Sequence, residues 1–316
     1  MNKVTFITIL TLLIAVGCGQ KKAEQFKALP FPNITLPGMI QNQQDAADYY
    51  ALHMWDKLVD PERTYPSDSL LVSGVKRSDV EQNYANWLAI LDMVSLKTSE
   101  KALDRLYDRT LSCEMKDSSS NVFETFTELA EKYLYDPNSP FRNEEHYLHY
   151  AEKLAVYEGF SQAVRGRYAS EAADCSLNRI GTKAADFSFA DSKGRVTSLH
   201  DIKAPYTLLF FSNPGCEACM AIIEMLKGEQ IVSDMVSSGF LAVVNVYIDE
   251  DIQAWMDYMP IYPTEWHNGF DQDQAVRTEG LYSVRAIPSL YLLDNEKRVI
   301  LKDAPEDKMM NHLMNL

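Results

Sequence analysis

The chain is poor in the residues from which most metal and cofactor sites are built. Five cysteines and six histidines are spread over 316 residues, and only Cys216 and Cys219 form a C-x-x-C. A four-ligand structural zinc site needs a second such pair or histidines at ligand spacing, and neither is found. Attachment of a c-type haem needs a histidine directly after the second cysteine, where this chain has Met220. Copper(I) held by Cys216, Cys219 and Met220 is the one metal reading that soft sulfur ligands leave open. No nucleotide or flavin motif occurs, so no cofactor is expected. Positive charge is scarce as well: 30 Lys and Arg stand against 45 Asp and Glu, a net charge of −15. That balance argues against nucleic acid and anionic membrane surfaces as partners. It also disfavours strongly acidic partner proteins. After residue 16 no apolar run is long enough to cross a membrane, and there is neither a low-complexity tract nor a convincing internal repeat.

Core material is plentiful. The chain is 46% hydrophobic and 11% aromatic, which excludes a disordered protein, and its length suits two domains. The first residues read as a targeting segment: Met1-Asn2-Lys3 supplies the charge, and 4–16 is apolar but shorter than the roughly 20 residues of a spanning helix. It ends at Ala15-Val16-Gly17-Cys18, which resembles a bacterial lipoprotein cleavage box, with Ala15 where such boxes usually have Leu. Residues 1–17 are therefore expected to be a signal peptide. Cys18 is expected to be the lipidated first residue of the mature chain, and a lipid anchor its only membrane contact. An ordinary secreted protein cleaved nearby is the alternative. Either places the protein outside the cytosol in an oxidising compartment; with the anchor, it would face the periplasm. The polar, proline-bearing stretch 18–40 reads as a flexible tether.

From 41 to 178 the apolar period is helical. Segment 45–59 carries Tyr49, Leu52, Met54, Trp55 and Leu58 and is broken by Pro61 and Pro66; 79–94 carries Val80, Tyr84, Trp87, Leu88 and Leu91. Ser99 is expected to cap a third helix bearing Ala102, Leu103, Leu106 and Leu111. Asn121, with Glu124 three residues on, is expected to form a capping box for a fourth. Helices over 143–157 and 161–174 complete an all-α domain whose aromatics read as core rather than as a ligand pocket. His146 and His149, beside Glu144 and Glu145, have a spacing that suits a metal on one helix face, but without a distant third ligand they read as a solvated face. Cys113 and Cys175 are a possible structural disulfide, which would add roughly 2–4 kcal/mol; the alternative is two buried free thiols.

From 179 to 316 the period changes. Alternation over 186–191, a turn at Ser192-Lys193-Gly194 and a second short run at 196–199 predict a hairpin. The run 206–212 is nearly all apolar, as a strand buried on both faces should be, and 241–248 repeats it. A helix is expected over 271–280, a closing hairpin over 289–293 and 298–302, and a terminal helix over 306–316. The overall expectation is an α+β two-domain chain: an N-terminal all-α domain, then an α/β domain with a mixed central sheet.

The C-x-x-C sits at the junction of strand 206–212 and a helix beginning near Met220. Two intervening residues put the sulfurs one helical turn apart, so they can bond or stand free. At a helix N-terminus the unpaired backbone N–H groups and the macrodipole favour a thiolate, and only the thiolate attacks a disulfide. Cys216 is thus the candidate nucleophile and Cys219 the candidate resolving thiol. Three functions remain in play: a thiol–disulfide oxidoreductase, a peroxidase of the peroxiredoxin type, and a binding module whose cysteine pair is structural. The peroxidase reading needs Thr or Ser three residues before Cys216 and Pro seven before, where Asn213 and Leu209 stand.

Residues 179–316 resemble the thioredoxin fold, and within it the TlpA/ResA group of membrane-anchored thiol–disulfide oxidoreductases. The resemblance lies in Ile180-Gly181-x-x-Ala184-x-Asp186-Phe187, in Asp191-x-x-Gly194-x-x-x-Ser198-Leu199, in the cysteine pair and in Ile287-Pro288. It implies that Pro288 is the cis-proline beside the pair and that Ile287 offers its backbone to a substrate strand. It also implies protein thiols and disulfides as substrates, with a redox partner protein as electron donor or acceptor. The chain departs from the group at Gly215, where Trp is common, and at Ala218, where Pro is common. Phe210 and Ile222 occupy the places of the group's buried proton-relaying carboxylate, leaving Glu217 and Glu224 as substitutes or, more simply, as solvent-facing residues. The whole chain is similar to a family of bacterial lipoproteins that join a helical domain of unknown function to a thioredoxin-like domain, a likeness carried by Glu128-Leu-Ala-Glu-Lys-Tyr-Leu-Tyr-Asp-Pro-Asn-Ser-Pro140.

Overall fold

The computed structural model describes residues 27–65 and 68–316. The segment 1–17, Cys18, the first part of the tether and Pro66 lie outside the described residues.

The helical half opens with α1 (Gln43–His53), capped by Asn42, whose side chain accepts from the Asp45 amide at 2.7 Å. A short hairpin, β1 (Leu71–Val72) and β2 (Val75–Lys76), leads into α2 (Arg77–Leu91) and α3 (Leu96–Lys116). The cap of α3 is Ser95, not Ser99: the Ser95 hydroxyl accepts from the Thr98 amide at 3.2 Å, a contact typically worth about 1 kcal/mol. Ser99 is buried within the first turn instead. In α4 (Val122–Ala130), Asn121 holds the cap position without forming a capping box. Its amide donates to the Asp68 and Leu71 carbonyls, so it ties the helix start to the hairpin. One π-helical turn, Glu131–Tyr135, follows, then α5 (Glu144–Val156) and α6 (Gln162–Ser176).

The aromatics of this half are core. Trp55, Tyr84, Trp87 and Phe126 pack at the centre, with the Trp55 and Phe126 rings 4.9 Å apart edge to face. The buried Trp87 indole donates to the Ala51 carbonyl at 2.9 Å. Each such ring removes roughly 150–250 Å² from water, about 4–6 kcal/mol of hydrophobic stabilisation. Residues 28–34 do not form a free tether. The Leu29 amide donates to Gly74 at 2.8 Å, Phe31 packs edge-on against Trp55, and Ile34 joins the same core.

Cys113 and Cys175 are not bonded to each other; both are buried free thiols. Cys113, at the end of α3, lies near Asp60, Arg109 and Lys116, whereas Cys175, at the end of α6, lies among Glu144, Lys302 and Arg285. The two thiols have no charged neighbour in common, and a bridge requires close α-carbons.

The second half is a seven-stranded sheet in the order β4-β3-β7-β6-β5-β8-β9. Its hairpin is β3 (Ser188–Ala190) with β4 (Val196–Ser198). Next come β5 (Tyr206–Phe211), α7 (Glu217–Gly228), α8 (Gln230–Ser237), β6 (Leu241–Tyr247) and α9 (Ile252–Tyr258). Then β7 (His267–Phe270), a single turn α10 (Ala275–Thr278), β8 (Ser289–Leu293), β9 (Val299–Leu301) and α11 (Glu306–Leu313) close the chain. Strands β5, β6 and β7 run parallel, while β8 and β9 run antiparallel to their neighbours. The apolar run of β5 is explained by its central place. Leu208 and Phe210 face the layer of α7, and Leu209 and Phe211 face the opposite layer.

Strand β7 is invisible to periodicity because Asn268 and Gly269 are poor strand formers. Gly269 is there because a Cβ would collide with the Phe189 ring. The helix expected over 271–280 shrinks to one turn because Gln274 and Gly280, both at positive φ, bound it.

Candidate redox site

Strand β5 ends at Phe211, and Ser212-Asn213-Pro214-Gly215 turns the chain into α7. Gly215 has φ +72°, a region that other residues enter only at a cost. Cys216 is the N-cap residue of α7, and its sulfur accepts from the Cys219 amide at 3.1 Å. Sulfur thus occupies the position where an oxygen usually caps a helix. Cys216 and Cys219 are joined by a disulfide, with α-carbons 5.2 Å apart. Cys216 is half-buried, whereas Cys219 is 2% exposed and packs with Ile222, Ile223 and Phe210. Only one sulfur of the pair therefore lies at the surface.

The Ile287–Pro288 peptide is cis. Phe211 pairs with Ser289 across β5 and β8, so the turn that leaves β5 and the loop that enters β8 stand side by side. Ile287, Met220 and Cys216 are all partly buried against the same core. The structure thus gathers Cys216, Cys219, Ile287 and Pro288 into one place; Cys18 lies outside the described residues, and Cys113 and Cys175 sit elsewhere.

Phe210 and Ile222 are buried in the layer around Cys219, and Glu217 and Glu224 are both solvent-exposed. Beneath the site runs a buried neutral chain. The Ser212 hydroxyl donates to Asn245, whose amide donates to Asn268 at 3.0 Å, which donates to the Pro263 carbonyl at 2.7 Å. At the turn itself the Asn213 amide donates to Asp249 at 2.7 Å, and Asp249 accepts from Arg277 at 2.7 Å. These contacts fix the strand ends that carry the cysteines.

The segment 144–149 is the largest departure from the sequence reading. Glu144, Glu145 and His146 are buried, not a solvated face. Arg285 Nε donates to Glu144 Oε1 at 3.0 Å, and Lys302 Nζ lies 2.8 Å from Glu144 Oε2. Glu145 accepts from Arg179 at 2.7 Å and from the Ile180 amide at 3.1 Å. His146 meets the Ser99 hydroxyl at 3.1 Å, and burial pushes its pKa down to about 4. Asp303 completes the cluster: burial, then the Glu144 carboxylate, push it up to about 6, while Arg142, Ser289 and Arg285 pull it down. These residues were missed because partners 34 to 141 or more positions away leave no periodic trace. Unpaired acids and bases on a helix resemble solvated residues until the tertiary contacts are known.

No helix among the described residues is long and apolar enough to cross a membrane. The model of a domain of unknown function, DUF5106, matches residues 14–178. No curated protein matches the chain. Among solved structures, a thioredoxin-like protein from Bacteroides caccae is 35% identical, covering 90% of this chain and 98% of that one, with a TM-score of 0.78. The C-terminal domain of an uncharacterized protein from Bacteroides fragilis is 40% identical over 43% of this chain and 98% of its own, with a TM-score of 0.42. The thioredoxin domain of a thiol-disulfide oxidoreductase from Bacteroides vulgatus is 22% identical over 43% of this chain and 96% of its own, with a TM-score of 0.39.

Proposed function

Since the chain belongs to the DUF5106 family and joins that helical domain to a thioredoxin-like one, we propose that it is an extracytoplasmic thiol–disulfide oxidoreductase of the TlpA/ResA type. It would pass electron pairs between its own cysteines and partner proteins. The observation that carries this reading is the asymmetric pair: Cys216 at the surface on a helix N-terminus, Cys219 buried one turn on. In the reduced protein the Cys216 thiolate attacks one sulfur of a substrate disulfide. A mixed disulfide forms and the other substrate sulfur leaves as a thiolate. The Cys219 thiolate then attacks Cys216, closing the disulfide and releasing the second substrate thiol. Two electrons pass to the substrate, and the two thiol protons of the pair end on its sulfurs. A partner dithiol runs the same steps backwards to restore the pair.

Ile287, before the cis proline, is the residue whose backbone would meet the substrate strand. Cys18 would carry lipid, with the chain facing the periplasm and touching the membrane through that anchor alone. The electrons would come from or go to a redox partner protein.

The test is the reduction potential of the Cys216–Cys219 pair in protein lacking residues 1–18, equilibrated in glutathione buffers and read by thiol labelling and mass. A value near about −270 mV would make it a reductase; one above about −180 mV would make it an oxidant or isomerase. A pair that resists mild reductants in the native protein would overturn the proposal. The binding-module reading, with a structural disulfide, would then stand.

A further inference from the structure

We propose that Glu144 of the helical half is a positioning residue for the substrate-receiving loop of the thioredoxin-like half, acting through Arg285; this rests on the redox reading above. The helical half would then be part of the substrate site, not a neighbour of it.

The loop that carries Ile287 and Pro288 is held on both sides by buried polar contacts. On one side, Arg285 is two residues before Ile287. Its Nε donates to Glu144 Oε1 at 3.0 Å and its Nη2 lies 2.9 Å from the same oxygen. Its Nη1 donates to the Tyr135 carbonyl, and the guanidinium lies 4.2 Å over the Tyr135 ring. Every one of these partners belongs to the helical half. On the other side, Ser289 directly follows Pro288, and its hydroxyl donates to Asp303 at 2.7 Å. Asp303 in turn lies 3.5 Å from Arg285, and Arg142 of the helical half donates to the Asp303 carbonyl at 2.9 Å. The side chains of Glu144 and Lys302 are each 2% exposed and that of Arg285 is 13% exposed.

The placement separates a positioning role from simple adhesion between halves. Apolar contact could join two domains anywhere on their surfaces. Among the charges taken out of water between the halves, which is costly unless geometry and partners are good, Arg285 lies two residues before Ile287 and Asp303 is bonded to Ser289 directly after Pro288, while Glu145 meets Arg179 away from this loop. A guanidinium suits the task because its planar fork bonds a carboxylate and stacks on a ring at once, which an ammonium does not do. Cys216 itself makes none of these contacts. The chemistry of the sulfur is therefore independent of the tie, and the docking of a substrate strand is not.

The test compares two disulfides in the full mature chain. Dithiobis(nitrobenzoate) is small and has no peptide backbone, so it reports sulfur reactivity alone; insulin must dock a strand. Glu144→Gln is expected to raise KM for insulin roughly tenfold or more, since misplacement of a docking element by about an ångström has effects of that size. It should leave kcat within about twofold, and leave both the reaction with the small disulfide and the reduction potential unchanged. Glu144→Asp, which keeps the charge, should recover part of the loss. If Glu144→Gln fails to fold, as judged by its circular dichroism, Arg285→Lys keeps the buried charge and should give the same split. Equal rates for wild type and variant on insulin, or proportional losses on both disulfides, would overturn the inference while leaving the redox function intact. If the wild type exchanges with neither disulfide, the redox function fails and the inference fails with it.

Discussion

Phe211 and Ser289 are partners across β5 and β8, and this one pairing brings the two halves of the site together. Phe211 is the last residue before the turn that presents Cys216, and Ser289 is the first after Pro288. A register slip of one residue would send every side chain of β8 to the opposite layer. Leu290 and Leu292 would leave the layer of α7, while Tyr291 and Leu293 would leave the opposite one. The cores on both faces therefore hold the register, and the register holds the site.

Replacing Cys216 with Ser should abolish disulfide exchange. Replacing Cys219 with Ser should leave the first attack intact but remove the thiol that resolves it, so covalent complexes with substrate proteins should accumulate. Non-reducing electrophoresis and mass determination of trapped species check both outcomes. Exchange at the wild-type rate in the Cys216 variant would refute the assignment of the nucleophile.

Gly215→Ala should destabilise the protein by about 1–2 kcal/mol, the usual penalty of a side chain in the left-handed region. A Cβ at Gly215 would meet no neighbouring atom, so the loss would come from the backbone alone. Urea unfolding of the oxidised protein, with unchanged m-value, measures it; an unchanged midpoint would show that the turn adapts.

His146 makes the protein acid-sensitive. Unfolded, its imidazole takes a proton below about 6.5; folded, burial delays this to about 4. Between those values the unfolded state binds more protons, so stability is full above pH 6.5 and falls as pH drops towards 4. The loss is at most about 3 kcal/mol from this group. Asp303, raised to about 6, works in the opposite sense: its contribution falls as pH rises from about 4 to 6. A comparison of wild type with His146→Gln, which keeps a hydrogen-bonding group towards Ser99, isolates the imidazole. The variant should lose less stability on going from pH 7 to pH 5, and identical losses would contradict the buried neutral histidine.

Protein lacking residues 1–18, with the Cys216–Cys219 disulfide intact, should show two thiols on denaturation, from Cys113 and Cys175. In the native state both should react slowly, because burial raises both above the ordinary thiol range and shields them from reagent. Thiol titration with and without denaturant decides it; no thiols after denaturation would mean that the two are bridged.

The elements legible in the sequence were those governed by short-range rules. Helices α2, α3 and α4 announced themselves by apolar spacing, and β5 and β6 by continuous apolar runs. The cysteine pair stood out because its chemistry demands two intervening residues and a helix start. Local rules erred where two residues compete for one role, as Ser95 and Ser99 did for the cap of α3. They also erred where a neighbour sets the residue type, as the Phe189 ring does for Gly269.

Local spacing singled out Cys216 and Cys219 as the candidates for sulfur chemistry, since the C-x-x-C and its helix lie within a few positions of each other. Tertiary packing settled what surrounds that chemistry. Burial of Glu144 and Glu145 depends on Arg285, Lys302 and Arg179 arriving from the other half of the chain. The physical reason is that a charge on a helix is stable in water without help, but stable in an interior only against a partner. No rule of spacing within the chain specifies which distant residue that partner will be.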